Sequence, residues 1–367
     1  MKKKLLNPKV PNNNLSFLPP EKFITTNPIF RQLIKTHKIL AELKGYSELL
    51  PNKNIILHSI TLQEAKDSSE IENIITTHDE LYKAIATKGN DKTAVKEVLN
   101  YKKALFKGME LIKARGFLST NIIVEIQQEI EGNDAGIRKL PGTTLMNDKT
   151  GEIMYTPPDN ENSIRNCLKN LEEFINTDDE RLDPLVKLAM IHYQFEAIHP
   201  FYDGNGRTGR IMNVLYLVLT NLLSAPFLYL SSYIIQNKSD YYRLLRSVTT
   251  DEAWEEWILY ILKAVEKTAE KTLSVSSNIV EIIEETSRKI KQEKSRIYSK
   301  ELIEILFSNV YCKISHLVES GIASRNIASK YLKELESIGV LKSEKVGKEI
   351  IYINIALYDL LKNQNMH

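Results

Sequence analysis

From Phe30 to Ser287 apolar residues recur three and four positions apart, and a chain patterned this way buries them by packing helix on helix. Phe30 to Leu43 shows the spacing clearly, with Phe30, Leu33, Ile34, Leu40 and Leu43 on one line beside His37. The pattern predicts further helices over Ile60 to Asn73, Thr93 to Arg115, Asn121 to Glu131, Ser163 to Asn176, Asp183 to Ile198, Thr208 to Leu223, Ser239 to Val248 and Glu252 to Ser287. The helix from Ile60 is expected to begin at Ser59 or Thr61, because Glu64 stands three residues after Thr61 as in a capping box. No repeat period links these segments, so a solenoid is not supported.

The 367 residues are enough for two or three domains, and 43% hydrophobic residues supply a sizeable core. With 49 Lys+Arg against 47 Asp+Glu, the chain lacks the basic excess of a protein that coats polyanions. Two distant cysteines, Cys167 and Cys312, rule out a disulfide framework and a cysteine-rich metal site, and they fit a reducing cytoplasm. The opening Met1-Lys-Lys-Lys lacks the apolar run of an export signal. Ile211 to Leu230 is apolar and about long enough to span a bilayer, but Asn213, Thr220, Asn221, Ser224 and Pro226 read as a buried core helix ending near Asn221. The expectation is a cytoplasmic protein with no membrane partner.

Two segments break the helical pattern. Thr143 to Met146 and Glu152 to Thr156 are β-prone and flank Asn147-Asp-Lys-Thr-Gly151, a hairpin loop in which glycine supplies a positive φ. Such a hairpin either packs on helices as decoration or awaits another strand. The second break follows a basic, linker-like stretch from Arg288 to Lys300. Helices are expected at Lys300 to Phe307, Cys312 to Ser320 and Ser324 to Ile338, then a β-hairpin with its tip at Lys345-Val-Gly-Lys348, which is the winged-helix order. Glu301 to His367 carries eight Lys+Arg and eight Asp+Glu, so protein contact or dimerisation is at least as well supported as DNA binding.

The densest chemistry lies in His199-Pro-Phe-Tyr-Asp-Gly-Asn-Gly-Arg-Thr-Gly-Arg210, between two apolar helices. A glycine loop leading into a helix N-terminus collects unpaired N–H groups and the positive end of the dipole, which together bind anions. Gly204 and Gly206 permit close backbone approach. Arg207 and Arg210 are too many cations for a dipole-positive first turn unless something negative sits beside them. Asp203 is a hard oxygen ligand suited to Mg²⁺ bridging phosphates, and His199 has the chemistry of a general base. Gly204-Asn-Gly206-Arg-Thr-Gly209 also matches a dinucleotide-binding glycine pattern, but the preceding segment is helical and the required acid downstream is missing. His192 and His199 lie seven apart without further ligands, which argues against zinc.

At these residues the chain resembles the Fic family, whose signature His-x-Phe-x-Asp/Glu-Gly-Asn-Gly-Arg-x-x-Arg is met at every specified position. The resemblance spans about Leu18 to Val265. It implies a mainly α fold, a Fic-type helical core with a β-hairpin flap, joined here to a C-terminal winged helix-turn-helix domain. The expected units are an N-terminal helical region over 1–110, a catalytic core over 111–287 and the winged helix over 288–367. The implied activity is transfer of AMP from ATP, with Mg²⁺, to a hydroxyl side chain of a target protein or of the chain itself. By resemblance His199 deprotonates that hydroxyl and Asp203 binds Mg²⁺. Gly204, Asn205, Gly206 and Arg207 hold the phosphates, and Arg210 meets the γ-phosphate.

Ser68 and Glu72, four apart on one helix face, read as a surface stripe by themselves. By resemblance they belong to an inhibitory helix in which Glu72 pairs with Arg210 and takes the place of the γ-phosphate. Thr143, Thr144 and Leu145 become a flap that pairs with the target's backbone. Tyr241 and Tyr242 fall where related chains line the adenine pocket, with core packing the competing reading for each, and Tyr241 is the choice. Trp254 and Trp257 are expected to pack a helix face. A homodimer is implied by the resemblance alone. Two other functions stay open: removal of AMP from the same target with Glu72 orienting a water, and a transcriptional regulator that senses nucleotide. Phosphate transfer is disfavoured by the intact Gly-Asn-Gly loop.

Overall fold

The computed structural model describes residues 7–21, 23–50, 53–87, 92–147, 150–347 and 349–363. The N-terminal lysines, Asp148 and Lys149 of the expected hairpin loop and Lys348 of the expected second hairpin tip lie outside them. The chain runs through α1 (Asn27–Leu49), α2 (Lys53–Ile71), α3 (His78–Thr87), α4 (Thr93–Arg115) and α5 (Thr120–Glu131) to the hairpin β1 (Leu145–Met146) and β2 (Ile153–Tyr155). There follow α6 (Glu161–Asn176), α7 (Pro184–Ile198), α8 (Asn205–Leu219), α9 (Ser231–Gln236), α10 (Lys238–Asp251) and α11 (Trp254–Glu293). The C-terminal part comprises α12 (Lys300–Ser308), β3 (Tyr311–Cys312), α13 (Ile314–Glu319), α14 (Arg325–Ser337), β4 (Leu341–Val346), β5 (Glu349–Asn354) and α15 (Ile355–Asn363). Among the described residues the protein is mainly α, with two small antiparallel sheets, β1–β2 and β3–β5–β4.

The antiparallel pair α7 and α8 forms the centre. Leu185 to Ile198 is buried on every side, as expected of a helix without a polar face. Asp183 caps it, accepting from the Leu185 N–H at 2.8 Å, and Pro184 takes the first turn, where no N–H is needed. Around this pair stand α4, α5, α6 and α11, and Trp257 of α11 donates its indole N–H to the Ala189 carbonyl at 2.8 Å. Trp257 is buried on its helix face and Trp254 stacks edge-on against Tyr193. The long helix α1 lies along α11, and α2 is wedged among α4, α8, α9 and α12.

Several boundaries differ from the sequence expectations. The α2 helix begins at Lys53, and Ser59 and Thr61 are not caps: their hydroxyls donate back to the carbonyls of Ile55 and Leu57, the alternative that mid-helix Ser and Thr adopt. The basic stretch from Arg288 is not a linker, since α11 continues to Glu293 and a 3-10 turn, Ser295–Ile297, follows. Its helix face still buries Ile290 and Thr286, which explains why the charges do not break it. Two helices, α3 and α9, were not expected; α9, with six residues, spans too few turns to show a period. The apolar stretch from Ile211 divides, with α8 ending at Leu219 and Asn221 turning the chain at φ +59°. Among the described residues no helix is long and apolar enough to cross a membrane.

Candidate functional site

The turn between α7 and α8 is held from three directions. His199 ends α7 in the left-handed region (φ +48°), a conformation that histidine adopts more readily than most side chains. Arg138, wholly buried, donates to the carbonyls of His199 (2.7 Å), Ile198 (3.2 Å) and Pro158, so one guanidinium fixes the turn's backbone. Asn205 closes the loop by a reciprocal pair, accepting from the Phe201 N–H at 2.9 Å and donating to the Phe201 carbonyl at 2.8 Å. Gly204 then opens α8 at φ +78°. That φ calls for glycine, and a Cβ there would also stand 2.6 Å from Glu131 Oε1 and displace that carboxylate.

The N-terminus of α8 meets the end of α2. A Cβ on Gly206 would collide with Glu72 Oε1, which places that carboxylate against the first-turn backbone of α8. The same oxygen accepts from Arg210 Nη2 at 2.7 Å. Arg210 also donates Nε to Ser68 Oγ at 2.8 Å and Nη2 to the Ser68 carbonyl at 2.9 Å, and its side chain is 1% exposed. Ser68 and Glu72 therefore do share one face, and that face points at Arg210. Burial disfavours the Glu72 charge, but Arg210 more than offsets it and holds the carboxyl below its ordinary value. The guanidinium is likewise penalised by burial and rescued by Glu72, so its pKa rises. The buried Arg210 guanidinium and the N-terminus of α8 make an anion site, and the Glu72 carboxylate of the same chain fills it.

Arg207 has partners that the motif did not suggest. It donates Nη1 to Glu97 of α4 at 3.1 Å and Nη2 to Glu131 at the end of α5 at 2.7 Å, while Asp203 Oδ1 stands 3.9 Å away. Its side chain is only 4% exposed. The negative charge that two first-turn arginines demanded thus comes from Glu72, Glu97 and Glu131. One signal could have found Glu131, because a carboxylate on the last residue of a helix opposes the dipole unless a cation sits beside it. Arg138, Glu97 and Glu131 were missed because each joins the site from a separate helix or loop.

His199 and Asp203 differ sharply in setting. Burial, helped by the charge of Arg138, pushes the His199 imidazole down to about 4, so the ring is neutral at pH 7. Asp203 is 79% exposed and accepts the Gly204 N–H at 2.7 Å, which leaves a carboxylate oxygen turned to solvent. Behind the turn lies Glu196, buried against Gly209, and burial raises its carboxyl to about 7.

Tyr241, expected at an adenine pocket, lies buried among Trp257, Tyr242 and Tyr260. Its hydroxyl meets His192 Nε2 at 2.9 Å, and burial keeps that phenol protonated. The ring packs on aromatic neighbours and is 2% exposed, while the adjacent Tyr242 is partly exposed. The hairpin is tied to the His199 turn: Tyr155 donates to the Ala197 carbonyl at 2.9 Å, and Tyr202 accepts from the Lys139 and Leu140 N–H groups. Leu145 pairs with Tyr155, and Thr143 and Thr144 precede it half-buried. Among the described residues β1 and β2 each have one neighbour, which leaves a strand edge open beside the turn.

Family comparisons match this chain in three consecutive stretches. Models described as Fic/DOC family N-terminal and Fic/DOC family cover residues 30–110 and 117–217. The chain belongs to the Fic/DOC family. A third model, "Protein adenylyltransferase SoFic-like, C-terminal domain", covers 282–357 of the Fic/DOC chain. Protein adenylyltransferase Fic of Nematostella vectensis is 27% identical over 198 residues, 53% of this chain and 43% of that one. A probable protein adenylyltransferase of Aquifex aeolicus is 38% identical over 80 residues, 22% of each chain. The Fic/DOC chain thus spans less than half the length of these curated relatives. Among solved structures, a Fic family protein from Desulfovibrio desulfuricans G20 superposes with a TM-score of 0.59 at 18% identity, covering 92% of this chain and 98% of that one. Caenorhabditis elegans Fic-1 gives 0.52 at 19% identity, covering 68% and 74%. These likenesses show the fold.

Proposed function

We propose that this Fic/DOC protein is a protein adenylyltransferase, moving AMP from ATP to a hydroxyl side chain of a target protein or of itself, and held at rest by Glu72. One observation carries the reading: the Glu72 carboxylate lies against Gly206 and on Arg210, where an anionic group of a nucleotide would be bound. The names of the relatives support the chemistry. In the proposed reaction the acceptor oxygen bonds to the α-phosphorus, the bond from that phosphorus to the β-phosphate bridging oxygen breaks, and pyrophosphate leaves with its electron pair. The acceptor proton passes to His199, whose ring is neutral and able to take it.

The α8 N-terminus and Arg210 would hold the phosphates. The flap segment Thr143, Thr144 and Leu145 would seat the acceptor as an added strand. Among the described residues no group of three or more His, Cys, Asp or Glu is placed to hold a metal. One exposed carboxylate suits Mg²⁺, which keeps waters and binds through few carboxylates plus substrate phosphates, so Asp203 would hold it. Bound there, the ion neutralises phosphate charge. The test is pyrophosphate release together with a gain of one AMP in the mass of an acceptor; ATP hydrolysed to ADP with no such gain would contradict the reading.

Arg207 would have a structural role beside the phosphate contact that the resemblance implies. With its terminal nitrogens bonded to Glu97 and Glu131, it is a strut that ties the phosphate loop to α4 and α5 and holds only a long 3.9 Å pairing with Asp203. Glu131→Gln should loosen that grip and let Arg207 close on Asp203, competing with Mg²⁺. The expected result is an apparent Mg²⁺ affinity lower by about threefold to tenfold, seen both in rate and in Mn²⁺ titration by electron paramagnetic resonance. Equal Mn²⁺ binding in variant and wild type would remove this role.

His199 also sets a pH expectation. A base whose pKa is depressed stays deprotonated until the pH falls to that value; the Glu72 charge raises the His199 pKa, so in a Glu72→Gly background the acid limb of the rate should lie at or below about 4. A limb near 6.5, the ordinary histidine value, would count against His199 as the base.

For the C-terminal part we propose a winged-helix unit. The order α12, β3, α13, α14 and the β4–β5 hairpin supports it, with the boundary moved from 288 to the end of α11. The first boundary is proposed near 110. Arg325, Asn326, Lys330 and Lys333 lie exposed on α14, and the balanced charge of the unit favours a protein contact over DNA.

A further inference from the structure

Glu72 is joined to α3 by only five residues, Asn73 to Thr77, and α3 is gripped by the C-terminal unit from three separate elements. Tyr311 of β3 donates its hydroxyl to Asp79. Glu344 of β4 pairs with Lys83 at 2.6 Å, and Lys83 also meets Asp79 at 2.9 Å. Tyr358 of α15 completes a ring cluster with Tyr82 and Tyr311, whose centroids lie 5.6 to 6.4 Å apart. Tyr82 and Tyr311 are buried in this contact. A second layer of the same unit, α12, packs directly on α2.

The grip reaches Glu72 through short, polar connections. His78, one residue before Asp79, bonds Gln63 of α2 at 2.7 Å. Thr77 and Glu80 each donate a backbone N–H to the other's side chain, a capping box that fixes the start of α3. The end of α2 is pinned by Lys238, which donates to the Ile71 carbonyl at 2.6 Å, and Asn73 leaves the helix at φ +62°. With so short a connection, a shift of α3 has little slack to absorb before it moves the last turn of α2.

We propose that the C-terminal unit is a clasp: by holding α3 it sets the resting position of Glu72 on Arg210, and loosening the clasp raises AMP transfer. The inference rests on the inhibitory reading of Glu72. It assigns to Asp79, Tyr82, Lys83, Tyr311, Glu344 and Tyr358 a regulatory role at a distance from the nucleotide.

Full-length variants test it, read by α-label transfer into a lysate and by hydrogen exchange of residues 69–77. Lys83→Glu places a carboxylate against Glu344 and Asp79; transfer should rise about threefold to tenfold and exchange in 69–77 should quicken. Adding Glu344→Lys should restore both toward wild type, which separates a lost contact from general damage. Tyr311→Phe keeps the ring and should give a smaller rise. In a Glu72→Gly background Lys83→Glu should add nothing. If Glu72→Gly raises transfer while Lys83→Glu and Tyr311→Phe stay at wild-type rate and exchange, the clasp is overturned and the inhibitory reading stands. If Glu72→Gly itself leaves transfer unchanged, the inhibitory reading fails and the clasp goes with it.

Discussion

Glu72→Gly should raise AMP transfer by about tenfold to a hundredfold, the equivalent of roughly 1.4 to 2.7 kcal/mol. The physical basis is competition for Arg210. In the resting protein that guanidinium is 1% exposed, and Glu72 is the carboxylate it bonds. A phosphate that approaches the α8 N-terminus meets a like charge in its place. Removing the side chain leaves Arg210 buried with its charge uncompensated, a state that binds anions avidly and costs stability until one arrives. Two readouts follow. Without nucleotide the variant should melt below wild type, and ATP with Mg²⁺ should raise its melting temperature by more than it raises that of wild type. The effect is moderated because Glu72 is 35% exposed, so part of its interaction is screened by water. Equal ATP-induced shifts in the two proteins would show that Glu72 does not compete with the nucleotide.

Replacing His199 should have the largest effect. Loss of a positioned general base lowers the rate by about a hundredfold to ten-thousandfold, and here it should do so with nucleotide binding intact, because in the proposed arrangement the α8 backbone and Arg210 hold the phosphates. The choice of substitution matters. His199 sits at φ +48°, where alanine is strained and asparagine is tolerated, so His199→Asn separates chemistry from backbone damage better than His199→Ala. In the Glu72→Gly background, His199→Asn should keep the ATP-induced thermal shift and lose transfer. Retained transfer would require another base.

Much of this was legible in the sequence because it is local. The bounds of α4, Thr93–Arg115, follow from periodicity alone, since Val95, Val98, Leu105, Met109 and Ile112 fall on one buried face. The loop from His199 to Arg210 announces an anion site through glycines and misplaced cations, and the structure brings Gly204, Gly206 and Arg210 to one helix end. What could not be read is what crosses between elements. The α2 helix buries Glu64, Asp67, Ser68 and Ser69, a polar face turned inward, so a rule that places apolar residues inside misjudges its start. Glu64 is satisfied by Tyr101 and by the backbone and hydroxyl of Ser231, partners 37 and 167 residues away. Arg138 carries no local signal of its grip on the His199 turn. The aromatic cluster of Tyr241 with Trp257 and Tyr260 joins α10 to α11, and no local signal announces it.

The central claim, that AMP moves from ATP to a hydroxyl, is tested most directly with ATP labelled at either the α- or the γ-phosphate. Wild-type, Glu72→Gly and His199→Asn proteins are incubated with Mg²⁺, alone and with a cell lysate. The account predicts protein-bound α-label, strongest with Glu72→Gly and lost when His199→Asn is added to it, and no bound γ-label. Label from the γ-position, or none from either position in any protein, would contradict it.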